Sequence, residues 1–379
     1  MWIGTVFALA AGLMWGLVFV GPLLLADYPV ALLAFGRYLA FGLIALPLAW
    51  LDRPRMAQLT AADWREAGKL GLVGNIVYYL FLAAAIQHAG GPLPTMIIGT
   101  LPVVIAVSSN LRDAARDGRL PWLRLLPSLV LIAAGIACVN QVELDRLRAD
   151  AGSDHGRYAL GALLAVGAVV CWTWYPIRNA DWLRAHPDRS PRAWATAQGV
   201  ATLPLALAGY AAYWAWSALS AAGSGGGTPG DAAAFAMPFG PRPAAFLGLM
   251  FAIGLFASWL GTLCWNEASQ RLPTTLVGQL IVFETLAALA YALLLRGSVP
   301  PPLTFVGVLL LVAGVSWALR VRLISSPCQV WPAATSTGVI TCAASTHSIR
   351  VKPSGGMSPR RPHSSAPGFQ ITVSAKLAL

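Results

Sequence analysis

Ten stretches of about 20 mostly apolar residues run through this 379-residue chain, at roughly 2–25, 29–51, 68–87, 92–111, 121–140, 157–177, 192–216, 243–266, 274–295 and 301–320. A helix of that length covers a hydrocarbon core of about 30 Å at 1.5 Å per residue. The stretches are rich in Leu, Ala and Val and lack the polar/apolar alternation of barrel strands. Charged residues form 11% of the chain, where a soluble domain carries about 25%. The pattern predicts an all-α integral membrane protein of ten transmembrane helices. The first stretch has no Lys or Arg ahead of it and exceeds a signal-peptide core in length, so it is expected to remain as a span.

The net charge of +11 follows the same layout. With the N-terminus in the cytoplasm, the loops on that side and the C-terminal segment hold 20 Lys and Arg, the opposite loops hold 5, and Arg37 alone lies inside a span. This asymmetry is the positive-inside rule, so the basic excess reads as topology and not as a nucleic-acid surface. It predicts a multi-pass protein of the inner, cytoplasmic membrane with both termini in the cytoplasm. Residues 217–243 are rich in Gly and Pro and are expected to form a flexible external loop. Residues 323–379 are expected to be a disordered cytoplasmic tail: from 325 onward they hold 25 Ser, Thr, Pro or Gly in 55 positions and no acidic residue. The abrupt change of character after Arg322 also fits a shifted reading frame.

The chain repeats itself. "GTVFALAAGLMWGLVF" from Gly4 resembles "GALLAVGAVVCWTWYP" from Gly161, and "LPTMIIGTL" (93–101) resembles "LPTTLVGQL" (272–280). Each unit holds five spans, 2–140 and 157–322, joined by an external linker at 141–156. An odd span count inserts the second unit from the opposite side, which makes two inverted five-helix repeats, an architecture common among alternating-access transporters.

Several features carry a resemblance to a known family: "GLMWGLVFVGP" in the first span, Arg37 in "LLAFGRYLAFGL", Pro102 in "IIGTLPVVIAV", and "FVGVLLLVAGVSWAL" in the tenth. Together with the span count and repeat, they resemble the drug/metabolite transporter superfamily and its EamA-type permeases, over about residues 3–320. The resemblance implies a secondary transporter that exports small organic metabolites, amino acids or drug-like compounds. One departure stands out. Such proteins often carry Glu-Pro in the ninth span, whereas Glu284 is followed here by Thr285.

Of the fifteen acidic residues, Glu284 is the one deep inside a span. A charge at that depth costs about 2.5–3.5 kcal/mol on insertion scales, so the side chain is expected to face the protein interior. Arg37 lies about 12 Å from the outer end of its span and Glu284 about 16 Å from the outer end of its own, at 1.5 Å per residue. The two are therefore expected to lie near one another or share a polar cavity. They form a structural ion pair, handle substrate or protons, or make no contact. A second constellation is aromatic: Trp15 with Phe19, Trp172 with Tyr175, and Tyr78, Tyr79 and Trp259. These suit either a half-wet cavity wall or core packing. Trp2, Trp50, Trp122, Trp194 and Trp317 read as interfacial belt residues. Gln279 is the best placed hydrogen-bonding group, with Asn75, Asn140 and Asn266 as others. "GLMWG" (12–16) reads as a close helix contact, and Pro102 as a kink, mobile or static.

No phosphate loop, nucleophile elbow or HExxH motif occurs, and the five His and five Cys residues show no ligand spacing. No catalytic residue, metal or cofactor is expected. The implied partners are a small-molecule substrate, the lipid bilayer and protons. Two other classes remain: a non-transporting membrane assembly factor and a lipid-modifying subunit.

Overall fold

Apolar runs in a waterless medium satisfy their backbone groups only within helices or closed barrels, and in the computed structural model these runs are helical. The structure describes residues 2–25, 27–89, 94, 97–112, 121–139, 141, 155–223, 237–297, 302–325, 329–331, 338–341 and 349–351. The chain divides into two units, Met1–Arg322 and Leu323–Leu379.

In the first unit α1 (Trp2–Gly16) runs through a 3₁₀ turn, Leu17–Phe19, into α2 (Val20–Leu24). There follow α3 (Val30–Leu51), α4 (Arg53–Met56), α5 (Ala61–Leu70) and α6 (Tyr78–Ala89), then α7 (Leu101–Arg112) and α8 (Trp122–Val139). The second half holds α9 (His155–Ala185), α10 (Pro191–Gly223), α11 (Pro243–Ile253), α12 (Gly261–Arg271), α13 (Thr274–Leu280), α14 (Val282–Arg296) and α15 (Pro302–Ser325). The described parts of the ten expected segments are mostly helical. Among the described residues, three helices are long and apolar enough to cross a membrane, Val30–Leu51, Gly156–Ala185 and Pro243–Arg271. Five shorter apolar ones accompany them: Trp2–Gly16, Leu101–Arg112, Trp122–Cys138, Thr274–Ala288 and Pro302–Ala318.

Four details differ from expectation. The segment 274–295, which reads as one span, breaks at Ile281 between α13 and α14. In the stretch that resembles it, a turn at Gly99–Thr100 precedes α7, whose second residue is Pro102. Proline there sits in the first turn, where its missing N–H leaves no helical bond unmade. Residues 217–223, expected in the external loop, continue α10 to Gly223, because "SALSAAG" is built of helix-tolerant residues. In the second unit, where composition predicts disorder, β1 (Gln329–Trp331), β2 (Gly338–Thr341) and β3 (Ile349–Val351) pair as a three-stranded antiparallel sheet. These short strands hold the β-branched Val, Ile and Thr that suit strands. Asn140, residues 142–154 and the rest of the C-terminal segment lie outside the described residues.

Packing pairs elements from the two halves. α1 lies against α12 and α14, α9 against α6, α3 against α10, and α7 against α13. The 12–16 motif serves the first of these. A Cβ at Gly12 would come within 3.0 Å of the Glu284 amide nitrogen, and one at Gly16 within 2.9 Å of that of Ala288, so both glycines are what let α1 touch the α14 backbone.

Polar bonds tie α9 to its neighbours. Glu66 Oε1 on α5 accepts from Arg178 Nε at 2.5 Å, Arg112 on α7 pairs with Asp181, and Arg184 donates to Thr274 Oγ1 and the Leu272 carbonyl, both at 2.6 Å. The Arg178 guanidinium holds the Glu66 carboxyl below the usual carboxylate range. Ahead of α3, Arg242 pairs with Asp27, and Tyr28 donates to the Phe239 carbonyl at 2.9 Å and stacks on Phe246. Between α9, α10 and α12, Asn179 donates to Asn266 Oδ1 and accepts from Trp194 Nε1 and Gln198 Nε2, while Gln198 accepts from Tyr175 OH at 2.8 Å. Trp194 therefore leaves the interfacial set. It is fully buried and stacks on Trp182, since its indole N–H has found a partner inside. Trp2, Trp50, Trp122 and Trp317 are exposed.

Candidate functional site

Two stretches of π-helix interrupt the helices, one in each half. One, Gly71–Val77, links α5 to α6, and the other, Gly254–Leu260, links α11 to α12. Each is seven residues long, opens on glycine and carries a polar residue fifth, Asn75 and Ser258. Asn75 Nδ2 donates to Thr202 Oγ1 on α10 at 3.3 Å, and Arg37 Nε on α3 donates to Ser258 Oγ at 3.0 Å. A π-turn widens the helix by a residue per turn and re-aims the side chains it carries, which is why such turns gather at functional positions.

Arg37 is half-buried, and its guanidinium lies over the Tyr38 ring, 4.8 Å from the centroid. Glu284 is half-buried in the first turn of α14, just after the break at Ile281, and its amide N–H donates to the Ile281 carbonyl at 3.0 Å. Among the described residues Arg37 and Glu284 form no ion pair, and the Glu284 carboxylate accepts no hydrogen bond.

The aromatic residues divide into two groups. Trp172 stacks on Tyr78 at 4.8 Å and on Tyr175 at 5.1 Å between centroids, and meets Trp15 edge-on at 5.7 Å. Trp15 in turn lies 4.9 Å from Trp265, whose buried indole N–H has no partner among the described residues. Trp259 belongs to the second group. Its indole donates to Thr196 Oγ1 at 3.1 Å, and with Tyr79 it packs around Phe35, Tyr38 and Ile76. Gln279 lies apart from both: its amide donates to Ser128 Oγ at 3.2 Å, which donates onward to the Gly314 carbonyl at 2.9 Å, tying three helices. The backbone of Phe19 closes the 3₁₀ turn after α1, and its side chain lies outside the described ones. Two crevices border Arg37 and Tyr38. One is lined by Arg37 and Tyr79 with Val18, Leu33, Met250 and Ile253, the other by Tyr38, Tyr79, Phe35 and Ile76. Neither has room for more than about one water molecule.

Sequence reading missed Ser258, Tyr38, Trp265 and the Asn179–Gln198 pair. Ser258 is a small hydroxyl inside an apolar run, with nothing in its spacing to mark it. The fully buried amides offered a signal, since a polar side chain inside a span faces protein.

Residues 2–140 match the EamA-like transporter family. A protein of Escherichia coli (strain K12), described as inner membrane protein YtfF, is 53% identical over 321 residues, covering 84% of this chain and 95% of that protein. A solved crystal structure, 19% identical, covers 85% of this chain and 99% of its own with a TM-score of 0.60, which shows a shared fold.

Proposed function

Because the chain belongs to the EamA-like transporter family, of the drug/metabolite transporter type, and is a multi-pass protein of the inner membrane, we propose that it is a secondary transporter that exports a small organic metabolite by alternating access. Ten spans in two inverted five-helix halves enclose the path. The interior between Arg37, Glu284 and the Trp15–Trp172–Tyr78–Tyr175 group takes the solute, and the halves rock to expose it to one side at a time. The observation that carries this reading is the presence of half-buried Arg37 and Glu284 inside an apolar bundle with no ion pair between them among the described residues. Two ionisable groups of opposite type in that setting are costly to keep unless each has a task. The exchange of partners between halves supports the inverted arrangement: α1 meets α12 as α9 meets α6, and the two π-segments each reach across by a polar bond.

Energy comes from a proton gradient or the solute's own gradient, with Glu284 as the group that takes the proton. Purified protein in liposomes, assayed for flux of a metabolite panel with and without a pH gradient, tests this directly. Saturable flux of a panel member, stimulated by the gradient, is expected. Absence of flux under every condition overturns the transporter reading.

A further inference from the structure

Arg37 has five N–H donors, and the structure accounts for one. Its Nε is fixed to Ser258 Oγ at 3.0 Å, and its flat face lies over Tyr38. The two Nη groups find no acceptor among the described residues, and the side chain borders the crevice lined by Val18, Tyr79 and Met250. A guanidinium held by its Nε edge and one face presents its remaining fork in a single plane, the geometry that receives a carboxylate through two parallel bonds.

Ser258 is placed for this task by the backbone that carries it. It is 3% exposed and lies on the π-segment that crosses α3 at Arg37. A Cβ at Gly254, four residues before it, would come within 2.8 Å of Ala40 Cβ and 3.0 Å of the Phe41 amide nitrogen, so glycine lets this turn press directly onto α3. The wide π-turn then aims the hydroxyl at the guanidinium.

We propose that Ser258 is the positioning residue for Arg37 and that the fork it orients is the receptor for an anionic group, a carboxylate, on the transported solute. Glu284, across the same interior, stays available for a cationic group or a proton because Ser258 holds Arg37 off it. The assignment rests on the transporter reading and adds to it a residue and a chemical class.

The test uses the full-length protein in liposomes and matched probes: phenylalanine, leucine and threonine, each beside its amide, which lacks the carboxylate. Flux of the acids and not the amides is expected, with Ser258→Ala raising KM about tenfold while kcat stays within about twofold. Ser258→Thr restores the hydroxyl and KM together. Arg37→Lys keeps the charge, loses the fork and abolishes discrimination between acid and amide. A single elution peak and an unchanged melting temperature for Ser258→Ala separate mispositioning from misfolding. Equal flux of acids and amides, or an unchanged KM in Ser258→Ala, overturns the assignment while transport stands. Flux of other metabolites with none of the acids overturns it equally. No flux of any solute by the wild type removes the transporter reading itself.

Discussion

At the scale of single residues, Glu284 was legible from sequence because a carboxylate amid apolar residues has nowhere to go but inward. Its setting was not. The residue opens a helix after a break, where the partial positive charge of an N-terminus favours an anion, and nothing in "GQLIVFET" announces that break. The absence of a direct Arg37 contact gives Glu284→Gln a specific outcome. With no ion pair to lose, the variant is expected to fold with a melting temperature close to the wild type. If Glu284 takes the proton, it also loses gradient-driven flux while retaining solute exchange. Full gradient-driven flux by folded Glu284→Gln removes the residue from proton handling. The departure from Glu-Pro at Thr285 fits this placement: Thr285 keeps the backbone N–H that a proline would lack.

At the scale of elements, spans could be counted but their irregularities could not. Hydropathy windows average over the length on which a π-turn or a break at Ile281 occurs. The 12–16 glycine motif was readable because small residues at that spacing have one mechanical use. Gly16→Ala places a methyl within 2.7 Å of Ala287 Cβ and 2.9 Å of the Ala288 amide nitrogen. Backbone cannot swing aside as a side chain can, so α1 and α14 separate. The expected cost is about 1–3 kcal/mol, read as a lower melting temperature in detergent, with reduced flux because Glu284 rides on the displaced helix. The α5–α9 contact makes a second prediction. Hydrogen bonding to Arg178 keeps the Glu66 carboxyl below its ordinary range, so its contribution is present above about pH 4.3, the unfolded value, and fades as pH falls through the lowered one. Arg178 is about half exposed, so screening limits the effect. Glu66→Gln should lower the melting temperature at pH 7, and the difference from wild type should shrink as pH falls through the lowered value, where the native side chain becomes neutral as well. A difference that does not change with pH assigns the loss to packing.

At the scale of the whole molecule, the claim with the widest consequences is that the halves are inverted, and charge alone carries a test of it. By the 20-to-5 division of Lys and Arg, the Glu66–Arg178 contact is expected to face the cytoplasm and the Asp27–Arg242 contact the outside. An inverted duplication makes a sharper demand: equivalent loops of the two halves must face opposite sides. Gly118, between the expected fourth and fifth spans, and Ser298, between the expected ninth and tenth, are equivalent positions in the repeat as the sequence predicts it. In a chain whose five native cysteines are replaced, Gly118→Cys and Ser298→Cys can be treated separately in spheroplasts with a membrane-impermeant maleimide. Ser298→Cys is expected to react at once, and Gly118→Cys only after permeabilisation. Both reacting from outside, or neither, makes the duplication parallel. In a parallel duplication the pairing of α1 with α12 and of α9 with α6 loses its symmetry argument, and rocking about a shared midplane site loses its geometric basis. Reversed labelling keeps the inversion and turns the molecule over, placing the Glu66–Arg178 contact outside.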